Sequence, residues 1–398
     1  MNRCLTFLLL LAALPTFAQP VWTTFSRENT ENGLASNRVA AITESSDGTM
    51  WFGTNSGVSS FDGTAWSTYR ANNGLASNNV SEILEDSEGN VWVGTDGGLS
   101  RFDGAAWETF TTVDGLLTNN ILSLLETSDN RLLVGTDSGI NVLFDGFFFE
   151  FQTAQGLVDE LVSGMLETKP GQIWFLTATG VSVINDGVWS NFSFGDAANY
   201  PSDGPLAADN DGYIWVGVDW GLTRYNKLRW INLTTSEGLS NARTLTISSD
   251  IHGILWIGTE GEGLYRFDGH FLDHYTVQDG LAGNHILSSF VDGQGRTWVG
   301  TLEGGVSRTG TDYKVSPLPS IRVFPNPTRG SITLEHNSKD DVFLQLTDPA
   351  GRVLMEETWS TNSGLPTRQM NLSYLPKGIY FISGNVNGKK VVKKLVLN

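Results

Sequence analysis

The sequence predicts an all-β chain, a seven-bladed β-propeller followed by a small Ig-like β-sandwich. Three observations predict it: a motif that recurs seven times at a nearly constant spacing, turn-forming glycines in phase with that motif, and a change of composition near residue 320. Glycine is abundant, at 45 residues, and 11% of the chain is aromatic, which is typical of short strands joined by many turns. At 398 residues the chain is long enough for two domains.

The first 18 residues have the pattern of a secretory signal peptide. Arg3 precedes an apolar run over residues 5–14, and Ala18 ends a cleavage site of the small-x-small type. The run is about half the roughly 20 residues that a membrane-spanning helix needs, so we expect export to the periplasm and no transmembrane segment. The single cysteine, Cys4, lies in this segment, so the mature chain would have neither a disulfide nor a thiolate metal site.

The repeated motif is Trp-Val-Gly-Thr or a close variant. Its copies begin at Trp51, Trp92, Leu133, Trp174, Trp215, Trp256 and Trp298, with five spacings of 41 residues and one of 42. A second aromatic series follows 15 residues after each anchor, at Trp66, Trp107, Phe148, Trp189, Trp230, Phe271 and Tyr313. Each period divides into four short alternating strands, which is the blade of a propeller. We therefore predict that the anchors Trp51, Trp92, Trp174, Trp215, Trp256 and Trp298 are inter-blade packing residues.

Two segments are candidates for the outermost strand of the seventh blade. The segment 21–25 resembles the outermost strand around Trp66, yet it precedes the first anchor. The segment around Tyr313 lies in the right phase, but it runs into Pro317 and Pro319, which interrupt strand pairing. We therefore favour the N-terminal strand as the one that closes the ring.

Charge changes where the repeat stops. Residues 20–320 contain 14 Lys+Arg against 37 Asp+Glu, and residues 321–398 contain 10 against 6. An acidic body repels phosphates, so no nucleic-acid partner is expected. The predicted organisation is a signal peptide at 1–18, the propeller at 19–312, a linker at 313–320 and a C-terminal domain at 321–398, where about seven alternating segments favour a β-sandwich.

The repeat resembles the two-component regulator propeller repeat. The second copy carries the likeness most fully, in Gly74-Leu-Ala-Ser-Asn-Asn-Val, Glu88-Gly-Asn-Val-Trp-Val-Gly-Thr and Gly98-Leu-Ser-Arg-Phe-Asp. The likeness covers about residues 21–310 and is weakest between Asn191 and Gly212. That family forms the periplasmic sensor heads of bacterial hybrid sensor kinases, many of which respond to oligosaccharides. Those heads usually combine two propellers with a linking β-domain, a membrane helix and a kinase, whereas one propeller is recognised here, so the resemblance implies ligand recognition without a signalling domain.

The last 78 residues are similar to the type A C-terminal sorting domain of the type IX (Por) secretion system. The residues that carry the likeness are Pro325, Asn326, Pro327, Gly351, Gly378 and Tyr380, together with a lysine-rich final strand. The resemblance implies a Gram-negative bacterium, transport by the type IX machinery and removal of the domain by its sortase. The mature protein would then be released or attached to surface lipopolysaccharide.

No pattern of catalytic, cofactor-binding or metal-binding residues is recognised. The histidines fall at unrelated phases of the repeat, and no nucleophile elbow, P-loop or dinucleotide fingerprint is present. The segment 209–212 has two aspartates of a calcium loop, but it lacks the remaining ligands and occupies the turn position common to all copies. We predict no catalytic residue, no metal and no cofactor.

Positions where the copies differ are the best candidates for ligand binding, because the shared residues build the scaffold. Trp220, with Asp219, stands in a loop where the second copy reads Thr-Asp-Gly-Gly, and Glu260, Glu262 and Tyr200 occupy neighbouring loops. An aromatic ring beside carboxylates is suited to a sugar, so we predict a glycan or protein ligand on this loop face. The alternatives are a polysaccharide lyase or hydrolase that uses loop-face carboxylates, and a structural surface protein.

Overall fold

The computed structural model describes residues 21–193, 204–233, 239–240, 242–250, 253–268, 272–310, 321–324, 328–336, 342–349, 351–359, 367–386 and 389–397. The chain divides into two compact units, Met1–Lys314 and Val315–Asn398. The predicted signal segment, Tyr200 and the segment 325–327 lie outside the described residues.

The first unit is an all-β, propeller-like fold of four-stranded antiparallel sheets, seven of them within the described residues. Its strands are β1 (Trp22–Phe25), β2 (Val39–Glu44), β3 (Met50–Thr54), β4 (Gly57–Phe61), β5 (Trp66–Tyr69), β6 (Val80–Glu85), β7 (Val91–Thr95), β8 (Gly98–Phe102), β9 (Trp107–Phe110), β10 (Ile121–Glu126), β11 (Leu132–Thr136), β12 (Gly139–Phe144), β13 (Phe147–Phe151), β14 (Val162–Lys169), β15 (Gln172–Thr177), β16 (Gly180–Asn185), β17 (Val188–Ser193), β18 (Leu206–Ala208), β19 (Ile214–Val218), β20 (Gly221–Tyr225), β21 (Trp230–Leu233), β22 (Thr244–Ser249), β23 (Leu255–Thr259), β24 (Leu264–Phe267), β25 (Leu272–Tyr275), β26 (Ile286–Val291), β27 (Thr297–Thr301) and β28 (Val306–Thr309). The first sheet is β2–β5, each later group of four strands forms the next sheet, and the seventh sheet has the order β1-β28-β27-β26.

Short 3-10 turns join several sheets, at Ala71–Asn73, Thr112–Asp114, Thr153–Gln155 and Val277–Asp279. A glycine with positive φ ends each turn, and at Gly74 and Gly156 the space that a Cβ would need is already filled by a residue of the second aromatic series. Gly74 has φ of +126°, and a Cβ at this position would lie 2.5 Å from the Cβ of Trp107. Only glycine permits both the conformation and the close approach.

The anchor tryptophans are buried at the junctions between neighbouring sheets. Their side chains are between 0% and 6% exposed. Trp51 of the first sheet packs with Val80 and Val93 of the second, and Trp92 packs with Ile121 and Val134 of the third. The same relation holds at the remaining junctions with tryptophan anchors, where Trp174, Trp215, Trp256 and Trp298 each pack on the sheet that follows. Each indole therefore fills the space between two sheets rather than the interior of one.

At four of the six tryptophan anchors the indole N–H is held by the turn between the first and second strands. Trp92, Trp215 and Trp298 donate to the aspartate six residues earlier, namely Asp86, Asp209 and Asp292, at 2.7–2.8 Å. Trp51 donates to Ser45 instead, at 2.5 Å. A buried N–H without an acceptor costs free energy, so this turn is part of the packing unit. It also explains Asp209: its carboxylate binds Trp215, as a turn residue would.

The N-terminal strand completes the seventh sheet. β1 pairs with β28, with Trp22 opposite Thr309 and Phe25 opposite Val306, as the sequence favoured. The seventh sheet also meets the first, because the Ser288 hydroxyl donates to the carbonyl of Val39 at 3.0 Å. The segment around Tyr313 lies outside the described residues.

At four junctions a glutamate at the end of a first strand accepts hydrogen bonds from the turn of the preceding sheet. Glu85 accepts from the backbone N–H and the hydroxyl of Ser46, at 2.7 and 3.1 Å. The equivalent contacts join Glu126 to Ser87, Glu167 to Ser128, and Glu44 to the backbone of Gly293. We call this contact the carboxylate clasp. The corresponding positions in the last three sheets are Ala208, Ser249 and Val291.

The sixth sheet departs from the predicted spacing of aromatics. Its hairpin between β23 and β24 is one residue longer than those of the first five sheets, as is the hairpin of the seventh. The register places Leu272 opposite Phe267, where Trp107 stands opposite Phe102 in the second sheet. The spacing of 15 residues had indicated Phe271, which lies outside the described residues. A constant spacing identifies the wrong position here because the insertion falls between the anchor and the outer strand.

The second unit contains two antiparallel sheets that share one core. The strands are β29 (Ile321–Phe324), β30 (Ser331–His336), β31 (Val342–Thr347), β32 (Val353–Trp359), β33 (Thr367–Asn371), β34 (Gly378–Val386) and β35 (Lys389–Leu397), in the orders β29-β30-β33 and β32-β31-β34-β35. Ile332 and Leu334 of the smaller sheet pack with Leu344, Trp359 and Leu395 of the larger one. Among the described residues of the whole chain, no helix has the length and apolar character needed to cross a membrane.

Candidate functional site

The predicted ligand-binding residues lie at the end of the sheets where the hairpins between second and third strands emerge. We call this end the loop face. Asp219 and Trp220 form the hairpin between β19 and β20 in the fifth sheet, and Glu260 and Glu262 lie in the hairpin between β23 and β24 in the sixth. Four of the five predicted residues therefore fall on two adjacent hairpins, and the fifth, Tyr200, lies outside the described residues.

Trp220 is half-buried rather than fully exposed. Its ring packs against the hydrophobic cluster between the fourth and fifth sheets, which includes Trp174 and Val218. A ring held in this way presents part of its surface to solvent and uses the rest for packing. The structure thus gives Trp220 a structural role that its exposed position in the repeat did not indicate.

Asp219 is tied to the sixth sheet through Arg243. Their side chains approach to 3.4 Å, between Oδ1 of Asp219 and Nε of Arg243. The carbonyl of Arg243 also accepts a hydrogen bond from the backbone N–H of Glu260, at 2.9 Å. One residue that sequence reasoning missed, Arg243, therefore holds the two hairpins together.

The side chains of Glu260 and Glu262 are exposed. The backbone of Glu262 is fixed by His274, whose Nε2–H donates to the Glu262 carbonyl, and the His274 ring stacks on buried Tyr265 with 4.3 Å between ring centroids. The hairpin is thus held by its main chain, which leaves both carboxylates directed to solvent and available to a polar or cationic ligand.

Two positions next to the Trp220 hairpin differ from their equivalents in the sibling sheets: Val218, just before the hairpin, and Thr244 in the sixth sheet. In all six sibling sheets a buried threonine, such as Thr95, donates to the carbonyl of the glycine at the start of the third strand, at 2.7–2.9 Å. The fifth sheet has Val218 at this position, and the Gly221 carbonyl instead accepts from Thr244 of the sixth sheet, at 2.6 Å. Thr244 occupies a position where siblings carry valine or isoleucine. The Gly221 carbonyl therefore receives its hydrogen bond from the neighbouring sheet rather than from its own sheet.

A cavity of about 430 Å³ runs between the first strands of all seven sheets. Residues with hydroxyl side chains contribute to its wall, namely Ser81, Ser123, Ser163, Thr246 and Ser288. Within the described lining, Glu82 is the one charged side chain. A polar cavity with a single carboxyl group is suited to binding a small polar or cationic group.

Glu82 was not singled out by sequence reasoning. Burial raises the pKa of its carboxyl to about 7, opposed only by the backbone N–H of Ile83, which donates to Oε1 at 3.3 Å. At neutral pH the group therefore exists in both protonation states. A signal was present in the sequence: the equivalent residues of the other copies are all small, namely Ala41, Ser123, Gly164, Pro205, Thr246 and Ser288.

In the described part of the chain, no group of three or more His, Cys, Asp or Glu side chains is arranged to hold a metal ion. Chemically, the described residues offer a carboxyl with a pKa near neutrality in the cavity. On the loop face they offer two exposed carboxylates, on the hairpin next to the one that carries the half-buried Trp220.

Family models match both parts of the chain. The model "Two component regulator propeller" matches residues 33–56, 74–97 and 115–138, and "Secretion system C-terminal sorting domain" matches residues 322–398. The chain carries two-component regulator propeller repeats and a type IX sorting domain. This combination indicates secretion or surface localisation and an interaction with the type IX machinery. A search of curated proteins gives no match.

Solved structures share the fold at low sequence identity. The extracellular domain of the putative hybrid two-component system BT3049 from B. thetaiotaomicron has a TM-score of 0.63 at 19% identity, covering 95% of this chain and 60% of that one. PorZ, a surface component of the type IX secretion system of Porphyromonas gingivalis, has a TM-score of 0.55 at 17% identity, covering 91% and 60%. Virginiamycin B lyase from Staphylococcus aureus has a TM-score of 0.59 at 16% identity, covering 72% and 98%. The chain spans about 60% of the length of the two-component domains that it matches, and the likeness concerns the fold alone.

Proposed function

We propose that this protein is a non-catalytic recognition module, a seven-bladed propeller delivered to the cell surface or secreted by its C-terminal domain. The seven four-stranded sheets are its blades, and the second unit is an Ig-like sandwich that is the sorting domain. The proposed organisation is a signal peptide at 1–18, the propeller at 19–312, a linker at 313–320 and the sorting domain at 321–398. The type IX machinery and its sortase are then its export partners, reached by way of the periplasm.

The observation that carries the recognition function is where the repeat is broken. Departures from the shared residues lie on and around the Asp219–Trp220 hairpin. Trp220 packs between the fourth and fifth sheets, and Arg243 and the exchange of Val218 for Thr244 lie at the junction of the fifth and sixth. These residues keep the scaffold intact by other contacts, so the shared motif is replaced there without loss of packing. A replacement that needs compensation is expected where a surface serves a ligand.

The ligand class that suits this surface is a glycan or a polar protein segment. Asp219, Glu260 and Glu262 offer carboxylate acceptors to hydroxyl or amide donors, and the exposed part of Trp220 offers an apolar contact for a sugar ring. Tyr200 belongs to the proposed site by its place in the sequence. The inter-sheet tryptophans would act only as scaffold.

Glycan and protein binding can be separated by one set of variants. Wild type, Trp220→Ala and Asp219→Ala would be applied to a glycan array and to outer-surface protein extracts, with Asp96→Ala as the matched control in the second sheet. Asp96 occupies the equivalent hairpin and pairs with Asn79 at 3.1 Å. We expect Trp220→Ala and Asp219→Ala to lose the bound ligand and Asp96→Ala to keep it. Binding that survives both loop-face substitutions would place the site elsewhere, and no glycan bound by wild type would remove the glycan proposal.

The export route is tested by removing residues 321–398. We expect the truncated chain to fold, since the two units each have their own core, and to accumulate in the periplasm. Fractionation with a protease-protection assay measures this. A truncated chain that still reaches the cell surface would contradict the assigned role of the C-terminal domain.

The alternative is a polysaccharide lyase or hydrolase on the same scaffold. What favours it is Glu82, because a carboxyl whose pKa lies near neutrality is suited to general acid–base catalysis. Incubation with anionic and neutral polysaccharides, followed by measurement of new reducing ends, decides between the two functions. Cleavage by wild type that is lost in Glu82→Gln would establish the enzyme and exclude the non-catalytic proposal.

A further inference from the structure

The third sheet carries exposed phenylalanines on its outer edge. Phe144, at the end of β12, is 44% exposed, and Phe147 and Phe149 on β13 are 69% and 53% exposed. They form one continuous surface, because Phe144 is opposite Phe147 in the register and Phe149 follows two residues later on the same side of β13. Exposed aromatic groups in a contiguous patch are costly in water and commonly mark an interaction surface.

The patch is specific to this sheet and is not a feature of the repeat. The residues equivalent to Phe144 in the first and second sheets are Asp62 and Asp103, those equivalent to Phe147 are Ala65 and Ala106, and those equivalent to Phe149 are Ser67 and Glu108. All three positions have changed to phenylalanine in one copy. The scaffold does not need them, since the sibling sheets form without them.

The edge of β13 also offers backbone hydrogen bonds. β13 pairs with β12 alone among the described strands. The two-residue turn at Asp145 and Gly146, both with positive φ, makes Phe144 and Phe147 a hydrogen-bonded pair. Alternate residues then point the other way, so Phe148 and Glu150 direct their backbone N–H and C=O away from the sheet. Natural edges are usually blunted by charge or proline, and here the apolar groups are uncovered.

Charge indicates the chemistry of the occupant. Residues 132–160 contain five carboxylates and neither lysine nor arginine. Glu150 is exposed on the opposite side of β13 from Phe147 and Phe149. A second copy of the chain would bring another acidic surface to this edge, whereas a basic segment would be attracted to it.

We propose that β13 is a docking edge for an extended segment of another protein, which adds a strand to the third sheet. The segment carries apolar side chains at alternate positions, against Phe147 and Phe149, and lysine or arginine at the positions between them, facing Glu150. Main-chain hydrogen bonds to β13 give the affinity, and the alternation of apolar and basic side chains along the segment gives the specificity. This surface is separate from the loop-face site, so it adds a protein partner to whatever ligand that site binds.

The test uses a fluorescein-labelled ten-residue peptide in which valine and lysine alternate, with fluorescence anisotropy as the readout. The variant is Phe144→Asp, Phe147→Ala and Phe149→Ser together, which restores the residues of the first sheet. Leu228→Thr, an exposed apolar residue of the fifth sheet replaced by its sibling Thr64, is the matched control. We expect the triple variant to bind at least about tenfold more weakly than wild type and Leu228→Thr to bind as wild type does.

Two further peptides separate the contributions. A valine–glutamate peptide should bind about tenfold more weakly than the lysine form, and methylation of alternate backbone nitrogens should weaken binding comparably. Equal binding of the lysine peptide by wild type and the triple variant would overturn the proposal. So would a dimer in analytical ultracentrifugation that dissociates in the triple variant while the peptide fails to bind, since the edge would then serve a second copy.

Discussion

The first four junctions around the first unit differ from the last three in how they are joined. Tryptophan packing is nearly uniform, with Leu133 as the single substitution among the anchors, whereas the carboxylate clasp joins the seventh sheet to the first and the first four sheets to one another. At the last three junctions Ala208, Ser249 and Val291 replace the clasping glutamate. Apolar packing is therefore common to every junction between sheets, whereas the polar contacts differ from one junction to another.

The variable polar contacts occur where the candidate ligand site lies. The junction of the fifth and sixth sheets has no clasp, and it is joined instead by the pair of Asp219 with Arg243 and by the Thr244 hydroxyl. The clasp lies at the end of the first strand, and these substitutes lie at the opposite end, on the loop face. At this junction, the polar contacts that join the two sheets therefore lie on the loop face, the surface that we assign to recognition.

The largest expected effect comes from removing an anchor. Trp92→Ala should lower the free energy of unfolding by about 3–5 kcal/mol, because it removes a buried indole and leaves the cavity only partly refilled. Trp256→Ala, at a junction without a clasp, should cost a similar amount, since the side chain is equally buried. Urea unfolding measures both. A cost at Trp256 that is less than half of that at Trp92 would show that packing is not uniform around the ring.

The next largest effect concerns the exchanged threonine. Thr244→Val should cost about 1–3 kcal/mol, because the buried Gly221 carbonyl loses its donor. Adding Val218→Thr restores the arrangement of the sibling sheets and should recover most of the loss. A double-mutant cycle in urea measures the coupling, and additive effects of the two substitutions would mean that the two positions do not serve the same carbonyl.

The pH dependence of stability tests the carboxyl in the cavity. The pKa of Glu82 is about 7 in the folded chain, above its ordinary value of 4.5, so the folded state binds the proton more tightly than the unfolded state. Its contribution to stability is therefore present below pH 4.5 and is lost as the pH rises through 7. Glu82→Gln should remove this dependence and raise stability above pH 7 on the order of 1 kcal/mol, a modest value because Glu82 is only half-buried and water screens it. Thermal unfolding from pH 5 to pH 8 checks the slope, and identical slopes for wild type and variant would contradict it.

The smallest effect is expected at the clasp. Glu126→Ala removes the two hydrogen bonds to Ser87, and because these lie at the surface the cost should be about 0.5–1 kcal/mol. Ser249→Ala, at the equivalent position of the sixth sheet, should change stability by no more than about 0.5 kcal/mol. Urea unfolding again provides the comparison. If the two variants cost the same, the clasp contributes no more than an ordinary surface residue.

Much of the fold could be predicted because the repeated residues occur at fixed positions within each sheet. The anchors Trp51 to Trp298 mark the second strand of each sheet, and the glycines in phase with them mark the turns. Prediction was weaker where one copy changes length: the longer hairpin at Glu260 moved the outer aromatic position of the sixth sheet from Phe271 to Leu272. It was weakest for the candidate site, since the sequence did not indicate that the Trp220 ring is half-buried between two sheets, and neither Arg243 nor Glu82 was singled out.

By itself, the sequence determined the kind of chain this is: all-β, periodic, with aromatic anchors and a distinct C-terminal unit, because each of these properties recurs at a short, regular separation along the chain. Only the tertiary structure decided between the two candidate strands for the seventh sheet, and only it showed which residue donates to the Gly221 carbonyl and which charged side chain lines the cavity. Val39 and Ser288 are 249 residues apart, and Gly221 and Thr244 belong to different sheets. Contacts of this kind depend on how the sheets are placed around one another, and the local pattern of residues carries no record of that placement.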